Sequence, residues 1–356
     1  MPTLPVSGFQ VARPTINLAG QDNAVLAERL YSLEVVETSS GLYRCEASFY
    51  NWGNLEGNLG FPYFDRKLLE FGKVFKVKFA TDQVFEGRIS ALEGVFPAGL
   101  PPRITVLVED RLQALRMTRR TRSFENMSDA DVVRKIASDH SLTPDVGVTG
   151  ASHKVLVQVN QSDLAFLRER ARALDAEVWV EGTNLKFKNA TARGSSPVEL
   201  QYADQLREFT VLADLAQQCS SLSVTGWDVS GKREIKSEAS ANAIQSELQN
   251  LDGGSAILDS RLGSRKETLA HGVPLSSDDA KSMAESAYKL MARRFVTGRG
   301  ISSPDERIKV GAKLELKGLG QIFSGPYRVT EVHHVFDASA GLRTEFLVER
   351  PGLARA

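Results

Sequence analysis

Two cysteines and five histidines in 356 residues leave little from which to build a metal centre, a redox pair or a histidine-based active site. Cys45 and Cys219 lie far apart and follow no metal-ligand spacing. They read as small buried apolar residues, and their positions leave open whether they pair. An excess of charge of one sign is also missing, since 44 Lys and Arg are matched by 44 Asp and Glu. No overall field therefore draws the chain to nucleic acid or to a membrane, and no specific nucleic-acid binding is expected. No apolar run approaches the ~20 residues needed to cross a bilayer. The first residues, MPTLPVSGFQ, have neither the basic nor the apolar region of a secretory signal. A soluble protein made in the cytoplasm, with no membrane partner, is the expectation. Its 42% hydrophobic and 25% charged residues are those of a globular chain, and its length suits two or three domains.

Catalytic patterns are missing too. There is no HExxH, GxSxG, Walker or GxGxxG motif, and Gly318-Leu-Gly320 lacks the strand–turn–helix setting of a phosphate loop. The histidines are His140, His153, His271, His333 and His334. His333 and His334 are neighbours in a predicted strand, so they point to opposite faces and do not chelate one ion. His334 with Asp337 comes nearest to a pair, but without a third partner a surface or subunit-contact role is the better reading. No catalytic, cofactor-binding or metal-binding residue is assigned, no cofactor is expected, and the protein is not read as an enzyme.

What is present is mostly strand. LYSLEVVET and LYRCEASFYNW flank a Ser-Ser-Gly turn, and KVFKVKFA alternates Phe75, Val77 and Phe79 against Val74, Lys76 and Lys78. VFEGRIS and RITVLVED follow, around a Pro/Gly loop at 97–102. The period then changes. Ser128-Asp-Ala-Asp131 has capping-box spacing ahead of Val132, Val133, Ile136 and Ala137. A second helix starts at the N-cap candidate Ser162 and carries Leu164, Leu167, Ala171 and Leu174 on one stripe. Phe166 lies off that stripe and needs a second surface. EVWVE-GTN-LKFK is a hairpin signal. Strands return in LREFTVLAD, SSLSVTGWDV, REIKSE, AKLELKG, GPYRVTEVHH and RTEFLVER. Residues 237–280 are rich in Ser, Ala, Asp and Gly and read as a long excursion or partly mobile loop, before a helix at about 277–296.

The fold class is mainly β with an α+β middle module. The boundaries are an N-terminal extension at 1–15, a first β domain at 16–122, the α+β module at 123–193, and a second β domain at 194–356 with an excursion at 237–296. The basic run RLQALRMTRRTR holds Arg111, Arg116, Arg119, Arg120 and Arg122. It reads as a solvated connection or an intersubunit salt-bridge segment, with a lumen-lining or partner-facing role as the sharper alternative. Trp52, Trp179 and Trp227 suit cores or subunit contacts.

The two β domains also resemble each other. Gly72 matches Gly311, and Gln83, Phe85 and Gly87 match Gln321, Phe323 and Gly325. After a two-residue insertion, Pro326-Tyr327, Arg88-Ile89-Ser90 matches Arg328-Val329-Thr330. Val95-Phe96 matches Val335-Phe336, Ala98-Gly99-Leu100 matches Ala340-Gly341-Leu342, and both copies end in Leu-Val-Glu at 107–109 and 347–349. Shared alternation does not reproduce identities in that order, so the chain reads as carrying two copies of one unit.

SFENMSDADVVRKIASDHSL, QVNQSDLAFLRERARALDAEVWVEG, SVTGWDVSGKREI and the closing AKLELKGLGQIFSGPYRVTEVHHVFDASAGLRTEFLVER together resemble the phage late control protein D family. These are the baseplate hubs of contractile tails, and the sequence is also similar to the hub portion of VgrG spikes. The resemblance spans about residues 16–351. It implies two tube-like β-barrel domains flanking the small α/β domain, and a homotrimer whose six barrels form a pseudo-six-fold ring. The implied partners are the inner tube hexamer, a trimeric spike protein and baseplate wedge proteins, within a virion tail or injection-system particle. VgrG chains continue into an OB-fold and a needle, whereas this sequence ends just past its second copy, so a separate spike polypeptide is expected. Readings from other classes are a tail-associated peptidoglycan-cleaving enzyme, which needs paired carboxylates in a cleft, and a soluble effector or carbohydrate-binding module built on hub-like barrels.

Overall fold

The computed structural model describes residues 13–55, 58–79, 81–194, 196–228, 231–270 and 274–355. His271 and residues 1–12 of the N-terminal extension lie outside them. The first β unit consists of β1 (Thr15–Leu18), β2 (Leu30–Thr38), β3 (Arg44–Tyr50), β4 (Val74–Phe79), β5 (Asp82–Val95) and β6 (Arg103–Glu109). They lie side by side in the order β2-β3-β6-β5-β4-β1. Period-two alternation sends one face of every strand inward. Leu33 and Val35, Cys45, Ala47 and Phe49, Ile104, Val106 and Val108, Phe75 and Val77, and Ile16 close on a single core. The sheet wraps this core as a barrel-like layer. Cys45 is part of it, Cys219 is buried elsewhere, and both are free thiols.

The middle module follows with β7 (Arg119–Ser128), α1 (Asp129–Asp139), β8 (Thr143–Val146), β9 (Ser152–Ser162), α2 (Asp163–Ala173), β10 (Ala176–Glu181) and β11 (Asn184–Asn189). The capping box forms: the Ser128 hydroxyl accepts from the Asp131 amide, and the Asp131 carboxylate accepts from the Ser128 amide, each at 3.2 Å. Ser162 caps α2 by accepting from the Ala165 amide at 3.2 Å. The second surface that Phe166 needs is Phe124 on β7, stacked on it with centroids 5.7 Å apart. Leu112 and Leu115 are buried in this module's core. The basic run is therefore anchored to the middle module, and β7 begins at Arg119, so a boundary after 122 falls inside a strand.

The second β unit is built from β12 (Val198–Gln201), β13 (Leu206–Ala213), β17 (Val296–Ser302), β18 (Lys313–Lys317), β19 (Gly325–Asp337) and β20 (Gly341–Arg350). Between β13 and β17 sit β14 (Ser221–Asp228), β15 (Arg233–Ser240), β16 (Lys266–Leu269) and α3 (Ser277–Arg293). The stretch 237–280, expected to be a long excursion or partly mobile loop, is an excursion with strands and short helices of its own. β14 pairs with β15 and β16, and Leu222, Val224, Ile235 and Ala239 pack on Ala280, Ala284, Tyr288 and Ala292 of α3. Alanines at helical spacing let α3 approach the sheet closely, so a stretch poor in large apolar residues still closes a core.

The internal repeat is visible in backbone register. β4-β5-β6 and β18-β19-β20 are both antiparallel meanders. In the first, Arg88 faces Glu109 and Ile89 faces Val108, and a bulge at Ser90 precedes Ala91 facing Leu107. In the second, Arg328 faces Glu349 and Val329 faces Val348, and a bulge at Thr330 precedes Glu331 facing Leu347. Both bulge hydroxyls donate to the leucine carbonyl across the ladder at 3.3 Å. The correspondence extends further. β2 against β3 has an irregularity between Leu30 and Ser32, and β13 against β17 has one between Leu206 and Glu208. Two details differ from the sequence matching. Gly325 faces Leu316 and Tyr327 faces Leu314, so Tyr327, not Gly325, takes the place of Gly87. Gln321 and Phe323 lie in a helical turn, whereas Gln83 and Phe85 lie in β5.

The two cores are filled in complementary ways. At the positions of Cys45 and Ala47, the second unit has Gly298 and Gly300, and Phe209 and Phe346 lie over them where the first unit has Leu33 and Val106. A Cβ at Gly300 would run into the Phe346 ring. Gly300→Val is expected to cost about 1–3 kcal/mol by overpacking. A shift in the urea midpoint checks this, and an unchanged midpoint would show that Phe346 yields freely.

Candidate interface: an internal strand seam and two open edges

The two β units are joined by hydrogen bonds as well as by the chain. Beyond its bulge, β19 leaves β18 behind and pairs antiparallel with β2, with His334 opposite Val35 and Phe336 opposite Leu33. One continuous sheet results, running β13-β17-β20-β19-β2-β3-β6-β5-β4-β1. Phe336 is fully buried and belongs to the first unit's core although its strand belongs to the second. The seam is therefore a strand exchange of side chains between barrels.

The copy of each seam strand is left open. β5 occupies the position of β19, but its edge from Ala91 onward has no strand partner among the described residues. β13 occupies the position of β2 and ends the sheet, again with no strand partner on its outer edge among them beyond an isolated bridge from Leu206 to Tyr202. Phe96, the counterpart of Phe336, is 65% exposed, and Leu212 on β13 is 60% exposed. Phe96 belongs to an aromatic patch with Trp52, Phe61 and Phe64, whose centroids lie 5.2 Å (Trp52–Phe61) to 6.1 Å (Phe61–Phe96) apart. Trp52 thus sits at the surface. Trp179 is buried under Arg193, and Trp227 is exposed on β14.

His333 and His334 do point to opposite faces of the seam. His334 is buried, with Nδ1 3.1 Å from the Thr344 hydroxyl and its ring edge-on to Phe79. Burial, aided by the Lys309 charge, pushes its pKa down to about 3, so the ring is neutral. His333 bridges the Glu34 and Glu331 carboxylates across the seam at 2.7 Å each, and these raise its pKa against the opposing effect of burial. The pairing of His334 with Asp337 does not form. Asp337 instead accepts from the Ser339 hydroxyl, the Ala340 amide and Arg343, which hold its pKa down at about 2. It closes the turn into β20. His140 and His153 serve the middle module, contacting Asp163 at 2.8 Å and Asp129 at 3.1 Å. No cluster of metal-ligating side chains occurs among the described residues.

Part of the arginine run has intrachain work. Arg122 donates to Asp163 at 2.7 Å and to Asp139 at 2.9 Å, Arg120 lies 3.2 Å from Asp163, and Arg116 grips both oxygens of Glu109. Sequence reading missed the polar joint between the units. Glu177 on β10 accepts from Arg193 at 3.0 Å and from Arg328 of β19, and Arg328 also reaches Glu349 at 3.0 Å. All four groups are largely buried, and burial raises the Glu177 pKa against the pull of Arg328. These residues lie far apart in the chain, so no local pattern signals the joint.

A mainly β chain with one long shared sheet and helical modules between its halves has the fold of phage tail proteins. The 43 kDa tail protein of prophage MuSo2 from Shewanella oneidensis is similar with a TM-score of 0.70 at 11% identity, over 95% of this chain and 98% of that one. The tail protein of Neisseria meningitidis MC58 gives 0.65 at 11% identity, over 96% and 97%. An Escherichia coli type VI secretion component, described as similar to bacteriophage T4 tail proteins, gives 0.55 at 13% identity, over 96% and 79%. Residues 71–337, about three-quarters of the chain, match the Alg8 N-terminal domain family, and the chain belongs to that family. No curated protein matches the sequence.

Proposed function

We propose that this protein is a structural, non-enzymatic baseplate hub of a contractile injection machine, of the late control protein D and VgrG-hub kind. It acts as a homotrimer that adapts a six-fold inner tube to a three-fold spike. The observation that carries the reading is the internal repeat. Two units sharing bulges and register, joined edge to edge within one chain, supply six equivalent units when three chains close. The fold shared with phage tail proteins supports the setting. The expected units 16–122, 123–193 and 194–356 are proposed as its working parts, with the first boundary drawn back ahead of β7 at Arg119, the two β units forming the ring and the helical modules outside it. Tube hexamer, trimeric spike and baseplate wedge proteins are the proposed partners, and the assembled particle is the proposed location. No helix among the described residues is long and apolar enough to cross a membrane.

Such a protein works by burying large interfaces in fixed symmetry. Light scattering of the purified protein is expected to give the mass of three chains, and a stable monomer at micromolar concentration overturns the trimer. Deleting the gene is expected to abolish assembled particles in lysates viewed by electron microscopy. Normal particles would favour the effector or binding-module reading, and a clearing band in a peptidoglycan zymogram would favour the enzyme.

A further inference from the structure

The internal seam is a template for a second one. Within the chain, the end of β19 is sealed by β2, which buries Phe336 and His334 on the inner face. The register carries this template onto the open strands. Ladder positions place Leu92, Gly94 and Phe96 where Val332, His334 and Phe336 stand. On the other side they place Phe209, Val211 and Ala213 where Leu33, Val35 and Glu37 stand. Every one of these inner-face residues is apolar. Phe209, Val211 and Ala213 are only partly buried against their own core, as Leu92 is against its own. An open strand edge with an apolar inner face is a site for strand addition.

We propose that the occupant is a second copy of this chain, and that β5 of one subunit pairs antiparallel with β13 of the next. Phe96 then lies opposite Phe209, Gly94 opposite Val211, Leu92 opposite Ala213 and, on the outer face, Glu93 opposite Leu212. This rests on the trimeric reading and specifies how its subunits meet. The two edges differ, so the contact is head-to-tail and continues from subunit to subunit until the ring closes. The continuous sheet of one chain runs into that of the next, and the Trp52–Phe61–Phe64–Phe96 patch beside β5 lies at the junction. The internal seam fixes which residue meets which, so the proposal predicts a register as well as a surface.

Cross-linking of the full chain tests it. Glu93→Cys and Leu212→Cys are made together in one chain, where both positions are exposed and the native Cys45 and Cys219 are buried. A short bis-maleimide is expected to give covalent dimers and trimers on a denaturing gel. Neither single variant nor the unmodified protein should form them. The displaced pair Glu93→Cys with Arg207→Cys should also fail, because five residues move the target about 17 Å along the strand. Light scattering on the same samples separates the two claims. A three-chain mass with no cross-link, or with cross-linking only of the displaced pair, overturns this seam and leaves the trimer standing. A one-chain mass overturns both.

Discussion

Glu177→Ala is expected to destabilise the protein by about 3–5 kcal/mol, the cost of removing one partner from a buried ion pair. Glu177 is the carboxylate shared by Arg193 and Arg328, and both arginines are enclosed with it. Arg193 lies over the rings of Trp179 and Tyr43, with centroids 4.5 and 5.6 Å away, so no bulk water replaces the lost acceptor on that side. Arg328 keeps Glu349 and the Ala190 carbonyl, and so is less exposed to the loss. Glu177→Gln retains one acceptor oxygen and should cost less than the alanine variant. Urea unfolding of the three proteins checks the order. A cost below about 1 kcal/mol for Glu177→Ala would mean that solvent reaches the arginines and that the joint is not dry.

The second large effect is a pH dependence located at the seam. His334 has a folded pKa of about 3 against about 6.5 when unfolded. A lowered histidine pKa means that the unfolded chain binds the proton more readily. The stability tied to a neutral His334 is thus fully present above pH ~6.5 and is lost as the pH falls towards ~3. At ~1.36 kcal/mol per unit, and with the unfolded ring already half-protonated at pH 6.5, the loss between pH 6.5 and 4.5 is about 2 kcal/mol. Carboxylates titrate over part of the same range, so the readout is a difference. Stability of His334→Gln measured at pH 6.5 and 4.5 should fall by about 2–3 kcal/mol less than that of the unmodified protein. Equal falls in the two proteins would show that the ring becomes protonated in place. His333 works in the opposite direction, since its pKa is raised by Glu34 and Glu331. Its contribution is present at low pH and fades as the pH rises through the folded pKa. The same strand thus carries one histidine that resists protonation and a neighbour that holds it.

The sequence was most legible where structure is local. Alternation in KVFKVKF placed Phe75, Val77 and Phe79 in the core, and Ser128 with Asp131 formed the capping box that their spacing predicted. The repeat could be read because identities fall at bulges and turns, where backbone geometry restricts the choice of residue. Arg88-Ile89-Ser90 and Arg328-Val329-Thr330 each carry the bulge in the ladder. Where the matching slipped, at Gln321–Gly325, the second copy has a helical turn in place of strand, and shared letters misled. The 237–280 stretch reads as a long excursion or partly mobile loop because small residues carry little hydrophobic signal. Only the approach of α3 shows that alanines are what its packing requires.

By itself the sequence determined that this is a mainly β chain with an α+β insert and a duplicated unit, and that it lacks a recognisable catalytic pattern. Tertiary structure alone decided how the duplicated units meet. The pairing of β19 with β2 joins residues some three hundred positions apart, and neither strand's own pattern names its partner, because alternation fixes which face is buried and leaves the edge unspecified. The same holds for Glu177 between Arg193 and Arg328, and for the contrast between buried Phe336 and exposed Phe96. Two identical dipeptides, Val95-Phe96 and Val335-Phe336, differ in fate because β2 seals the second edge of β19, whereas among the described residues no strand seals that of β5.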